Sequence, residues 1–298
     1  LHLAACAFVF GVVVWWGKRW LGPGVPPGDF PGSVAYLHRL ISDPNSMHGW
    51  QLWMRHWCFG GSFVLMLANL LGLLMMMPFT HGATALEAAK TASLFYMAAS
   101  AVTMYLFAYW LLRSRGGAVA AALVYALHPI SVALVAKTGH ANFPPFFAVL
   151  PLAFLSAGVL AKKPGVHRVF VLAVSIFCLF WIDNERCLIT APFVVLFYLA
   201  EVLCAAGTNG ANWRAVSRAL PRLAGAVALS ILIGAFVILP GLIEAGHHYL
   251  FSESSKAESV ETFSLHNPLY LADRDGVFLE SVAGRGASEY TFNRGMFY

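Results

Sequence analysis

The side chains in this sequence that could do chemistry fall into a few places. Asp29 stands in PGVPPGDFPGS, a Pro/Gly-rich stretch that cannot be helical and holds a carboxylate on a stiff loop. A carboxylate held there is a candidate general base or ligand for a divalent metal ion, and equally an ordinary solvated turn aspartate. The segment Trp181-Ile182-Asp183-Asn184-Glu185-Arg186 interrupts a long apolar stretch. Ionisable groups in such a setting are costly, so they either bind something, a phosphate or a sugar, or pair with one another as Asp183–Arg186 or Glu185–Arg186. His128 in LHPIS, Lys137, and His140 with Asn142 in TGHANFPP form a third group, and His247 with His248 a fourth. Imidazole and carboxylate together suit several divalent ions, which makes Asp29, His140, His247 and His248 the metal-ligand candidates, although their spacing matches no metal motif. A lone histidine is more often structural than a ligand.

These groups sit in a very apolar chain. Of 298 residues, 59% are hydrophobic and only 11% charged, and the mean hydropathy is +0.69. A soluble domain carries about 25% charged residues, so a water-soluble globule is excluded. Seven runs have the length of a spanning helix, at about 1–17, 91–112, 117–136, 143–161, 169–185, 187–206 and 223–244. Ser100, Ala101, Gly158, Gly225 and Gly234 would let neighbouring helices approach closely. The chain reads as an all-α polytopic membrane protein, with a helix bundle over 1–249 and a polar outer loop over 250–298. Its start at Leu1 inside an apolar run and its stop after a polar stretch read as the cut ends of a longer protein. The five cysteines form no CxxC pair and read as packing thiols. No phosphate-binding loop, HExxH or GxSxG occurs.

Charge orients the bundle. Three short loops carry Arg113 and Arg115; Lys162, Lys163 and Arg168; and Arg214, Arg218 and Arg222, without a carboxylate among them. Such loops stay in the cytoplasm, which turns nearly every carboxylate and most histidines outward. The formal charge of +5 is then an orienting charge and no sign of a nucleic-acid partner. A further apolar run at about 63–79 conflicts with this, because a single crossing there would flip every later loop. Asn69, Gly72 and Pro78 fit a bent or shallow helix instead, leaving 18–90 as one long outer segment. Within it, 34–57 alternates basic and aromatic residues, as an amphipathic helix lying on the membrane does.

The order of these parts resembles the GT-C superfamily of membrane glycosyltransferases. GDFPGSVAYLHRL resembles that family's outer-loop carboxylate followed by an amphipathic segment. The stretch LFYMAASAVTMYLFAYWLLRSRGGAVAAALVYALHPISVALVAKTGHANFPPFFAVLPLAFL resembles the helix, basic turn, His-Pro helix end and Gly-His-x-Asn of bacterial and archaeal members. The family's Trp-x-Pro stretch has no clean counterpart, since HGWQLWMRHWCFGG lacks Pro, and Asp43 is only a weak match to a further loop acid. The resemblance implies a GT-C-like helix bundle and transfer of a sugar from a polyprenyl-phosphate-linked donor to a hydroxyl of a glycan, lipid or protein. It implies Asp29 as the catalytic or metal-binding carboxylate, and Arg186, Lys137, His140, Asn142, Asp183 and Glu185 around the donor and its phosphate. It places the protein in the plasma membrane with its active face outside. Two other readings stay open: a polytopic transporter or flippase, and a catalytically silent subunit that kept this scaffold.

Overall fold

A computed structural model describes residues 1–22, 34, 37–38, 53–54, 61–62, 70–136, 142–206 and 212–245. The architecture is helical: α1 (His2–Gly17), α2 (Leu70–Leu74), α3 (Ala85–Leu112), α4 (Arg115–Leu127), α5 (Pro129–Ala136), α6 (Phe143–Lys162), α7 (Val166–Ile182), α8 (Asn184–Ala206) and α9 (Asn212–Ala245). Six stretches are long and apolar enough to cross a bilayer: His2–Leu21, Ala85–Leu112, Arg115–Ala133, Phe143–Lys162, Arg186–Ala206 and Trp213–Ala235. The apolar α7 has only 17 residues, or about 25 Å, still within the range for a span. The protein is therefore a polytopic helical membrane protein.

Local sequence sets the helix ends. Thr84 and Glu87 form a reciprocal capping box at the start of α3. Arg113 closes α3 in the left-handed region (φ 55°), and the Ser114 hydroxyl accepts the Gly117 amide to open α4. The expected helix over 117–136 is broken at His128, which is extended (φ −57°, ψ 133°) because Pro129 follows it. The final helix starts earlier than hydropathy suggests, at Asn212. Its first turns carry Arg214, Arg218 and Arg222 four residues apart, hence on one face, and their charge lowers the hydropathy of those turns.

The centre of the bundle is α6, 61% buried over its most apolar window against 17% to 33% for the other five candidate spans. It packs against α3, α7 and α8, while α9 closes on α7 and α8, and α1 and α4 flank α3. Packing on the α3 side is built from small residues: Ala98 and Ala101 of α3, and Ala118, Ala122 and Ala126 of α4, are all at most 1% exposed. Between helices in lipid, close backbone approach of this kind supplies the attraction that water supplies elsewhere. Ser100 is fully buried, Gly158 receives the Trp110 indole and Gly225 meets Val169, in line with the expected role of these small residues. Pro151 lies inside α6 and has no N–H for the carbonyl four residues earlier. That carbonyl belongs to Phe147, and the buried end of α4 supplies a substitute: the Tyr125 hydroxyl donates to it at 3.1 Å.

The direction of α1 decides the 63–79 conflict. Gly17 lies against Leu94 near the start of α3, and His2 Nδ1 lies 2.9 Å from the Tyr105 hydroxyl near its end. The two helices are antiparallel, so the end of α1 and the start of α3 lie at the same end of the bundle, which a lone crossing between them would not give. Among the described residues of that run, α2 is five residues long and gives way to a turn and a 3-10 turn at Met77–Phe79. Tyr96 of α3 anchors it by donating to the Met75 carbonyl at 2.8 Å. In the 34–57 segment, Val34, Leu37 and His38 are helical, with Leu37 buried against Ala85, Ala88, Ala89 and Ala92. Trp53–Met54 differs from the expected helix: it is extended and pairs antiparallel with Gly61–Ser62, a pleated state that an aromatic residue favours.

Candidate functional site at the carboxylate end of the bundle

The helix directions put the three basic connections at one end of the bundle. Residues Asn142, Asp183, the N-terminus of α3 and the α2 segment lie at the other. Among the described residues one carboxylate, Glu201 near the end of α8, stands at the basic end. It pairs with Lys162 at 3.0 Å, and the Lys162 ammonium also stands 4.1 Å from the centre of the Trp110 ring.

At the opposite end, Asp183 is the whole connection between α7 and α8. Its amide donates to the Leu179 carbonyl at 3.0 Å, and its carbonyl accepts the Cys187 amide at 2.9 Å. One carboxylate oxygen accepts the Arg186 amide at 3.1 Å, the N-cap arrangement, and the other accepts from the Arg186 guanidinium. The carboxyl group is 5% exposed. Both oxygens are thus engaged within one turn, which is the mutual pairing foreseen for this segment. Arg186 is held a second way: its guanidinium carbon stands 3.7 Å from the centre of the Phe143 ring at the start of α6. Phe143 is itself 2% exposed and stacks on Phe147. The guanidinium is planar with five donors, and its side chain, 31% exposed, is held between Asp183 and Phe143.

Asn142 joins this group from the residue before α6. Its side-chain oxygen occupies the space that a Cβ on Gly72 would take, so α2 packs directly on it. Leu71 and Met75 bring the same segment onto the core containing Ile182 and Cys187. Asn142, Phe143, Asp183 and Arg186 therefore meet beneath α2. His128, at the α4–α5 break, is exposed. Asp29, Lys137, His140, His247 and His248 lie outside the described residues, as does the side chain of Glu185. Among the described residues no three or more His, Cys, Asp or Glu side chains stand together to hold a metal ion. Asp183, occupied by an amide and a guanidinium, is no open ligand.

A residue that sequence reading missed is Lys90. It lies in the second turn of α3, 5% exposed, and its ammonium donates to the Gly22 carbonyl at 2.6 Å. The signal was available, since Lys90 is the one cation between Ala85 and Leu112 of a spanning helix. No family model, curated protein or solved structure matches this chain.

Proposed function

We propose that the chain is the membrane part of a glycosyltransferase that moves a sugar from a polyprenyl-phosphate-linked donor to an acceptor hydroxyl at the carboxylate end of the bundle. That end faces the outside of the plasma membrane in this reading, as the basic loops at the other end favour. The observation that carries it is Arg186: a guanidinium braced by Asp183 and Phe143, its side chain 31% exposed, at the bundle end that also carries Asn142. A bidentate cation of fixed orientation is what a phosphate monoester or diester requires.

In the proposed step the acceptor oxygen attacks the anomeric carbon while the bond from that carbon to the phosphate oxygen breaks. Asp29 takes the acceptor proton, and polyprenyl phosphate leaves with its charge compensated by Arg186 and Lys137. A single in-line displacement inverts the anomeric centre, as in an inverting glycosidase with the acceptor in place of water. Asp183 acts here as a positioning residue for Arg186, and His140, Asn142 and Glu185 line the sugar. A divalent metal ion, if the protein uses one, belongs with Asp29, His140, His247 and His248. The break between α4 and α5 favours a transporter as the second reading, because discontinuous helices mark transport sites; it has no counterpart among the other described spans.

The test is transfer of labelled sugar from a panel of polyprenyl-phosphate donors by the protein in bilayers, wild type beside Asp29→Asn and Arg186→Gln. Transfer lost in both variants, with the fold intact, supports the reading. Full transfer by Asp29→Asn removes the proposed base, and no transfer by the wild type with any donor removes the reaction.

A further inference from the structure

At the basic end of the bundle α9 begins well beyond its neighbour α7. Two contacts fix its register. The Tyr198 hydroxyl of α8 donates to the Ala219 carbonyl at 3.1 Å, and a Cβ on Gly225 would stand 4.0 Å from the Val169 side chain of α7. Val169 lies three residues into α7 and Gly225 thirteen residues into α9, and both helices run away from the basic end. About ten residues of α9, or about 15 Å of helix, therefore stand beyond the start of α7. That projecting part carries Trp213, 75% exposed, and the exposed Arg214 and Arg218, while Arg222 is half-buried at the level where α7 starts. An exposed indole of this kind marks the headgroup level of a bilayer.

The arginines are uncompensated. No carboxylate among the described residues pairs with Arg214, Arg218 or Arg222, and Glu201, the described carboxylate at this end, is held by Lys162. Arg214 and Arg218 stand one turn apart on one face of α9. The same face continues through Gly225 to Leu232, seven and fourteen residues on from Arg218. Leu232 is 70% exposed and Ile231 beside it 59%, both within the membrane-crossing part. A soluble acidic partner would match the guanidinium groups alone, whereas a phospholipid matches both the cationic and the apolar stretch of this face. Side chains four residues apart are neighbours, so two guanidinium groups can share one phosphate. We propose that the projecting start of α9 docks an anionic phospholipid of the leaflet at the basic end, its phosphate between Arg214 and Arg218 and its acyl chains along the face of Gly225 and Leu232. The inference does not rest on the sugar-transfer reading, and the site lies at the opposite end of the bundle from Asp183 and Arg186.

The experiment is native mass spectrometry of the purified chain exposed to equimolar phosphatidylglycerol and phosphatidylcholine. Phosphatidylglycerol is expected to be retained about tenfold more than phosphatidylcholine. Arg214→Gln/Arg218→Gln, at two exposed positions that the packing does not use, is expected to bring that preference down to about twofold or less. Arg113→Gln/Arg115→Gln removes the same charge from another connection at the same end and is expected to leave the preference unchanged. Equal retention of the two lipids by the wild type, an unchanged preference in Arg214→Gln/Arg218→Gln, or an equal fall in both charge variants would overturn the proposal. Displacement of phosphatidylglycerol by equimolar glycerol phosphate or by an equimolar polyglutamate peptide would overturn the assignment to a lipid.

Discussion

Replacing Tyr125 by Phe isolates one physical relation in the bundle. Pro151 deprives the Phe147 carbonyl of its intrahelical donor, and the Tyr125 hydroxyl at 3.1 Å supplies another. Deleting that hydroxyl leaves a part-buried carbonyl without the bond, where a fully buried one would cost about 1–3 kcal/mol if nothing compensated. Side-chain hydrogen bonds between membrane helices average only about 0.6 kcal/mol and reach about 1.7. An orphaned carbonyl with no competing amide belongs at the upper end, so Tyr125→Phe should cost about 1.5 kcal/mol. In a Pro151→Ala background residue 151 regains its N–H and bonds Phe147 itself. The same Tyr125→Phe change should then cost at most about 0.5 kcal/mol. The double-mutant cycle therefore carries a coupling of about 1 kcal/mol, measurable by reversible unfolding of the four proteins in mixed micelles or by steric trapping in bicelles. An equal cost of Tyr125→Phe in both backgrounds would refute the reasoning, since the hydroxyl would then have no relation to the proline.

Gly158→Ala drives a Cβ into the rigid Trp110 indole and should destabilise by about 1–3 kcal/mol. Gly17→Ala meets only the flexible end of Leu94 and should cost less than about 1 kcal/mol; equal thermal shifts for the two would contradict the packing described. Asp183→Ala removes an N-cap and leaves Arg186 beside Phe143 without its carboxylate, so a loss of about 2 kcal/mol is expected in a denaturation series, with proposed transfer activity falling along with it. Glu201→Gln, by contrast, should change stability by no more than about 1 kcal/mol, because Lys162 is 42% exposed and keeps its place over Trp110. Impermeant thiol reagents should reach a cysteine placed at Lys163 from the opposite side of the membrane to one placed at His81; labelling of both from one side would invalidate the antiparallel arrangement of spans.

Hydropathy and charge are sums over neighbours in the chain, and what depends on such sums is legible in the sequence. The apolar helical runs with their approximate limits and the basic connections gathered at one end are of this kind. The boundaries that differ do so for local reasons that sums blur. The α4–α5 break follows from Pro129, and the long start of α9 carries arginines that mask its helix from hydropathy. The candidate site was legible as residue types only. Asp183 and Arg186 were visible as a pair three residues apart, but that Phe143 forms the second brace and that Gly72 makes room for Asn142 depend on helices distant in sequence. Lys162 with Glu201, Tyr125 with Pro151, and Lys90 with Gly22 are of the same sort. In lipid, helices choose partners by close packing and by satisfying the few polar groups that hydrocarbon cannot solvate. That choice is made among side chains tens of residues apart, so the sequence by itself determined which helices enter the membrane, and only the tertiary structure decided which of their polar groups meet.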